Sequence, residues 1–343
     1  MRDRLVVLGA TGATGRRVVR LAADAGLRPV AVGRRADALA AATAGLDAEM
    51  RVANLDPDDL DRVLGDAAVV VGAVGPATQY GPVMLAAALR GGAHWIDFSG
   101  EPRWVARVAT EFGRDAQVTL LPSLGLGVAA DLSAVRAAGA VGEVHRLTVA
   151  YRIVGMKPSV ATARSTVEII AGGAPRAGRH GVSFTSPGRS DAALGGIRFP
   201  LPDAVVLHSI WPSAAIQSVM TVPAPAVAGP VLAGLAAALH RPPVLRAVRR
   251  GFAAWADRPS DHSRGGGGRA TATVLAEGSA GSCTVVGSVT DVYDVTARSG
   301  FLAARALLGG AGQPGLRSWT SVVGSDDAAA AEVGVHLSPV TTS

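Results

Sequence analysis

Leu5-Val6-Val7-Leu8-Gly9-Ala10-Thr11-Gly12-Ala13-Thr14-Gly15 decides the fold. An apolar β-type run enters a GxxGxxG loop, and an amphipathic helix follows at once with Val18, Val19, Leu21, Ala22 and Ala25 on its apolar side. Gly9, Gly12 and Gly15 have separate jobs: one permits the tight turn out of the strand, one lets the backbone approach a pyrophosphate, and one lets helix and sheet pack closely. Thr11, Ala13 and Thr14 then offer free amides to phosphate at the positive end of the helix dipole. In a chain with 43 glycines a glycine triplet alone is weak evidence. Its position after a first strand and before a helix is what carries the dinucleotide reading.

The second strand, Pro29–Gly33, runs into Arg34-Arg35. An NAD site places an acid there for the ribose hydroxyls, whereas an NADP site needs cationic forks for the 2′-phosphate. Asp37 comes later, where a helix N-terminal role explains it as well. NADP(H) is the expected cofactor; two arginines falling by accident on a surface loop of an arginine-rich chain is the alternative.

Alternation continues through Glu49–Ala53, Ala68–Val74, His94–Phe98 and Val118–Leu121, with helix-like stretches at Pro57–Leu64, Pro82–Arg90, Pro102–Phe112 and Ala129–Ala138. Six strands alternating with helices predict a doubly wound parallel sheet, a Rossmann domain over residues 1–141. The pattern then changes. His145–Val154 reads as a long strand, Ser159–Ala171 as a helix, and the rest to Val222 as shorter strands broken by Gly and Pro. Arg269–Glu277 and Ser282–Val289 suit an antiparallel hairpin, and Thr296–Leu308 a helix. Residues 142–291 are expected to form a mixed α/β substrate domain. Residues 292–343 are expected to return to the first domain, because the apolar face of Phe301, Leu302, Ala304 and Leu307-Leu308 needs a partner.

The 343 residues are 49% hydrophobic and 17% charged, so the chain is globular. All but one of its 33 basic residues are arginine, Lys157 being the exception; they are spread along the chain, giving a net charge of +6 without a compact basic run. Nucleic-acid binding is disfavoured on that ground. The single cysteine, Cys283, rules out an internal disulfide and reads as a buried thiol in a strand. Entry into a strand directly from the N-terminus, with no signal peptide, predicts a cytoplasmic location. Val222–Leu239 is apolar but contains Pro223, Pro225 and Pro230, so a buried or lid-forming helix is favoured over a membrane span, with contact to membrane or lipid as the alternative.

Candidate chemistry gathers at the strand ends. Ala73, Val74 and Gly75 after the fourth strand admit the nicotinamide half of the cofactor, and Ser99 after the fifth lies on the same rim. Asn54 suits the adenine side, where Leu55 covers the base. Tyr80 is the first candidate proton donor, with a role as cofactor cover as its alternative. Glu101 is a candidate to orient substrate or move a proton; capping the helix that starts at Pro102 is the competing reading. Other chemistries fail by absence. Tyr80, Tyr151 and Tyr293 are followed four positions on by Met84, Gly155 and Ala297, not the lysine of short-chain dehydrogenases. No GxSxG elbow, HExxH or close His pair occurs, so neither a serine hydrolase nor a metal is implied.

These residues resemble a family. GATGATG at Gly9–Gly15, GPATQYG at Gly75–Gly81, HWIDFSGE at His94–Glu101, PSLGLGVAADL at Pro122–Leu132, KPSVATARSTVE at Lys157–Glu168, VYDVTARSGFLAARALL at Val292–Leu308 and a terminal Ser318–Gly324 segment are similar to saccharopine dehydrogenase-like oxidoreductases. Within them the chain looks most like the trans-acting enoyl reductases found beside polyketide and lipid synthases. The resemblance spans nearly the whole chain and implies hydride transfer from NADPH to an activated C=C bond of an apolar polyketide-, lipid- or terpenoid-like substrate, free or carrier-bound, with a synthase as partner. Gly125-Leu126-Gly127-Val128 departs from the family by being apolar where an aromatic and an acid are usual, which suggests a greasier pocket. Val205–Leu207, Ile210-Trp211, Ile216 and Val222–Leu239 are the expected walls of that chamber. Two alternatives stay open: an NADP-dependent C=O or C=N reductase or isomerase of a biosynthetic pathway, and a non-catalytic NADP-sensing protein.

Overall fold

The computed structural model describes residues 3–172, 196–198, 201–221, 238, 241–256 and 267–342. β1 (Arg4–Leu8), β2 (Val30–Gly33), β3 (Glu49–Val52), β4 (Ala67–Gly72), β5 (His94–Asp97) and β6 (Thr119–Leu121) pair in parallel in the order β3-β2-β1-β4-β5-β6. The Val- and Leu-rich runs of β1, β2, β4 and β6 are buried on both faces, as a helix-covered parallel sheet requires, whereas the edge strand β3 leaves Met50 and Val52 exposed. The covering helices are α1 (Gly15–Asp24), α2 (Ala36–Thr43), α3 (Pro57–Leu64), α4 (Ala77–Arg90) and α5 (Pro102–Arg107), the last continuing as a π-helical turn over Val108–Phe112. Strand order reverses between β1 and β4. The crevice outside their carboxyl ends is therefore the ligand-binding position of this architecture.

α6 (Leu126–Ala138) leads out of this domain and is buried almost all round, from Val128 to Ala134 and at Ala137. It can be buried on every side because it lies between the second sheet and the helices over 292–308 and 319–322. The second sheet holds β7 (Val144–Val154), β8 (Gly196–Arg198), β9 (Ala215–Thr221), β10 (Arg269–Gly278) and β11 (Gly281–Val289), with α7 (Val160–Gly172), α8 (Asp203–His208) and α9 (Pro242–Ala256) among them. Their order is β11-β10-β7-β9-β8; β7 and β9 run parallel and the other pairs antiparallel. α6 approaches β11 closely at Gly287. A Cβ there would stand 2.8 Å from the Ala129 carbonyl oxygen and 2.7 Å from the Ser133 hydroxyl.

The C-terminal stretch contributes to both sheets. α10 (Val292–Leu308) packs against α1 and across β1, β4 and β5, burying Phe301, Leu302, Ala304 and Leu307 in the core that contains Leu5 and Val7. After it, β12 (Gly315–Leu316) adds to β6 as a seventh parallel strand. α11 (Trp319–Val322) and α12 (Asp327–Val333) lead to β13 (Val335–Leu337) and β14 (Thr341–Thr342), which both pair antiparallel with β11.

Helix starts differ most from the sequence expectation. α4 begins at Ala77 rather than Pro82, because a carboxylate from elsewhere holds its first two amides. α10 begins at Val292 rather than Thr296, because the Asp291 side chain accepts from the first-turn amides of Tyr293 and Asp294. The stretch expected to hold only short strands before Val222 includes α8, and the 102–112 helix is divided by its π turn. Most of the 222–239 run, residues 222–237 and 239, lies outside the described residues. No helix among the described residues is long and apolar enough to cross a membrane.

Candidate functional site

The glycine loop closes as its spacing demands. Gly9 has φ +79°, a left-handed conformation, and a Cβ there would stand 2.6 Å from the Ala73 carbonyl oxygen and 2.8 Å from Val74 Cγ2. Gly12 donates to the Gly9 carbonyl at 2.9 Å, and a Cβ on Gly15 would collide with that same carbonyl. Among the described residues the amides of Thr11, Ala13, Thr14 and Gly15 make no backbone hydrogen bond. Thr14 caps α1 without a side-chain bond, and no acid occupies the helix's first turn. Free amides, an open dipole end and the absence of side-chain bulk together fit a pyrophosphate.

Arg34 and Arg35 follow β2 and are exposed; among the described residues neither joins an ion pair. They stand beside the loop, since a Cβ on Gly33 would lie 3.3 Å from Thr11 Cγ2. Asp37 sits in the first turn of α2, after the Arg35 cap. Beyond β3, Asn54 is exposed and tied to Asp59 Oδ2 through its amide at 2.8 Å and Nδ2 at 3.3 Å. Leu55, Val74 and Tyr80 are half-buried against the core shared by α3 and α4.

The rim after β4 and β5 is held by two buried carboxylates. Asp97 accepts from Trp95 Nε1 (2.9 Å), Trp104 Nε1 (2.8 Å) and the amides of Ser99 (2.9 Å) and Ser123 (3.2 Å). Burial pushes its carboxyl up while those donors oppose the shift. Ser123, after β6, has φ +64°, a conformation that non-glycine residues adopt at a cost. Ser99 is buried, and its hydroxyl accepts from the Glu101 amide at 3.1 Å.

Glu101 is 1% exposed. Its Oε1 accepts from the Ala77 amide at 2.8 Å and the Ser165 hydroxyl at 2.7 Å; its Oε2 accepts from the Thr78 amide at 2.8 Å and the Thr78 hydroxyl. Burial pushes its pKa up, and the Ser165, Thr78 and Ala77 donors counter it. The competing reading, a cap on the helix that starts at Pro102, is corrected: no side-chain cap bond forms there. The side chain turns inward to the unsatisfied amides of α4, and through Ser165 it braces that helix to α7. Gly75 completes the junction, since a Cβ on it would lie 3.2 Å from Ser165 Oγ.

Three helix starts converge near the loop. The Arg17 guanidinium lies 5.4 Å from the centre of the Tyr293 ring and donates to the Ala13 carbonyl at 2.6 Å. The Tyr293 hydroxyl accepts from the Ser159 amide at 2.7 Å and shares a 2.8 Å bond with the Thr162 hydroxyl. A cavity of about 430 Å³ opens where the start of α4 faces α7, beside the Glu101–Ser165 contact. Pro76, Thr78 and Gln79 line it from α4's start, Arg164 and Glu168 from α7, and Arg249 from α9.

Part of the expected apolar chamber is core. Leu207 and Val206 are buried, and Ile210, Trp211 and Ile216 pack half-buried against the core. Behind them lies a buried acidic cluster: Asp203 accepts from the Tyr151 hydroxyl and, at 3.0 Å, from the Ser218 hydroxyl. Asp131 of α6 is pushed up to about 8 by burial first and by the Asp203 charge second. Sequence reasoning missed Asp97, Ser123, Ser165, Tyr293, Arg164 and Arg249 as site residues. For Asp97 a signal existed: Trp95 and Asp97 are two apart on one strand, hence on one face.

Residues 9–96 match the profile of the NAD(P)H-binding family, from the glycine loop through most of β5. A lipid droplet localized protein of Caenorhabditis elegans is 36% identical over 62 residues, 18% of this chain and only 15% of the worm protein's length. Apo saccharopine dehydrogenase (L-Glu forming) from Saccharomyces cerevisiae superposes on 99% of this chain and 100% of its own, with a TM-score of 0.61 at 13% identity. The chain therefore carries an NAD(P)H-binding domain within a saccharopine dehydrogenase-like fold.

Proposed function

We propose that this chain is an NADP(H)-dependent reductase acting on an activated C=C bond, an enoyl or enone group, of a largely apolar substrate that is free or carried on a synthase. The observation that carries the reading is the crevice at the strand switch point. There the unbonded amides of Thr11, Ala13, Thr14 and Gly15 meet a neighbouring pair of exposed arginines that join no ion pair among the described residues. Arg34 and Arg35 supply the guanidinium forks that a 2′-phosphate needs, and no acid stands at the end of β2 to favour a bare ribose.

When bound, the cofactor supplies a hydride. The chain's residues do the rest. Gly9 and Gly15 keep the loop close enough for the amides to hold phosphate. Ala73, Val74 and Gly75 leave room after β4, and Glu101 fixes the start of α4 against α7 so that this rim keeps its shape. Tyr80 is assigned the proton. Its hydroxyl makes no hydrogen bond to another described residue, so its proton is free to be given. Phe98 and Ile169, half-buried at the same rim, suit an apolar substrate body.

NADPH oxidation measured against a panel of enones, ketones and imines tests the proposal. Turnover of apolar enones, with kcat/KM rising as methylenes are added at roughly 25 cal/mol per Å² of buried surface, is the expected result. Activity confined to ketones or to small charged imines rejects C=C reduction, and no oxidation with any member of the panel leaves a nucleotide-sensing role.

A further inference from the structure

α7 turns two different faces to its surroundings. Ser165 meets Glu101, whereas Arg164, Val167 and Glu168, at i, i+3 and i+4, share the face that lines the 430 Å³ cavity. The charges on that face are unequal in their commitments. Glu168 is held by Arg249 of α9 through two bonds, Nε at 3.0 Å and Nη2 at 2.8 Å. Arg164 is half-buried and has no partner among the described residues. A guanidinium cannot lose its charge, and burying it even partly without a partner is unfavourable.

We propose that this cavity is a subsite for an anionic group of the substrate, a carboxylate or a phosphate monoester, with Arg164 as its primary cation. The proposal rests on the reductase reading for the rest of the ligand and adds to it: the apolar substrate has one acidic end. Glu168 and Arg249 neutralise each other, so among the described residues the lining keeps a single uncompensated positive charge, matched to one anion. Their pairing also keeps Glu168 from closing on Arg164, which stays open to accept a bidentate ligand. The first amides of α4 are already taken by Glu101, so the anion's partner is the guanidinium and not the helix end. Gln79 adds an exposed amide at the edge, and Pro76 and Val167 supply an apolar flank for the adjoining chain. Because Pro76 directly follows Gly75, the acidic end is held next to the rim after β4.

Calorimetric titration of the full chain tests this with two matched pairs, octanoate against octanamide and 4′-phosphopantetheine against pantetheine. At least one anion is expected to bind about tenfold or more tightly than its neutral counterpart. Octanoate showing the preference assigns a carboxylate; phosphopantetheine showing it assigns a phosphate monoester. Arg164→Gln erases the preference while leaving NADPH affinity unchanged, and Arg249→Gln weakens it by releasing Glu168 onto Arg164. The proposal is overturned if neither anion outbinds its neutral partner, or if Arg164→Gln keeps the preference. Absence of NADPH turnover in the enone panel sinks the reductase reading without touching this binding difference.

Discussion

Asp131→Asn should remove a pH dependence from the stability of the whole molecule. The Asp131 carboxyl is 4% exposed on α6, which packs against the second sheet, and its pKa is raised to about 8 by burial and, second, by Asp203. Its main-chain donor, the Trp319 amide, is distant at 3.4 Å and offsets little of this. In the unfolded chain an aspartate titrates near 3.9, so between about pH 4 and about pH 8 the folded form holds a proton that the unfolded form has released. A raised folded-state pKa contributes stability that is full below the unfolded value and is lost as pH rises through the folded one. One proton is worth about 1.36 kcal/mol per pH unit, so wild type should lose about 2.7 kcal/mol from this group between pH 5 and pH 7. The variant's side chain cannot ionise and loses none of it, although its unpaired amide lowers stability at every pH. Urea denaturation of both proteins at pH 5, 6, 7 and 8 reads the difference. The advantage of wild type over the variant should shrink by that amount as pH rises from 5 to 7. Parallel curves would refute the argument, showing that Asp131 is ionised in the folded protein.

Gly15→Ala places a Cβ against the Gly9 carbonyl and should displace the loop, weakening NADPH binding by about tenfold or more in a fluorescence titration; unchanged affinity would contradict the loop assignment. Tyr80→Phe should lower turnover of an enone while leaving the NADPH dissociation constant intact, since only a proton is lost; unaltered kcat removes Tyr80 from the mechanism. Truncation after Gly300 deletes buried Phe301, Leu302, Leu307 and Trp319, each contributing about 1.5–3 kcal/mol by burial, a sum comparable with the net stability of a domain. Melting and NADPH affinity of the truncated chain should both fall, and a nucleotide domain that melts unchanged would show that it does not depend on α10.

The nucleotide crevice is legible in the sequence because its signal is local. A strand, three glycines and a helix are contiguous, and the Val- and Leu-rich runs that follow can hardly be anything but buried parallel strands. The start of α4 is illegible for the opposite reason: its cap is a carboxylate 24 residues away, and only the folded sheet brings β5's exit to β4's exit. Asp291, immediately before α10, is by contrast a local cap, and a helix start at Thr296 overlooks it. The cavity depends on Glu168 and Arg249, 81 residues apart, and no periodicity in either helix announces the pairing. Apolar residues at 205–207 and 210–216 read equally well as chamber or as core, since burial against protein and burial against ligand select the same side chains.

The most direct measurement is a titration of wild type and the Arg34→Ala/Arg35→Ala variant with NADPH and with NADH. Two charge-assisted contacts to a 2′-phosphate, on the order of 1.5–3 kcal/mol each, predict that wild type binds NADPH far more tightly than NADH. The double variant should lose most of that preference while its NADH affinity barely changes. Equal affinities in wild type, or equal losses for both nucleotides in the variant, would contradict the assignment of this crevice to NADP(H).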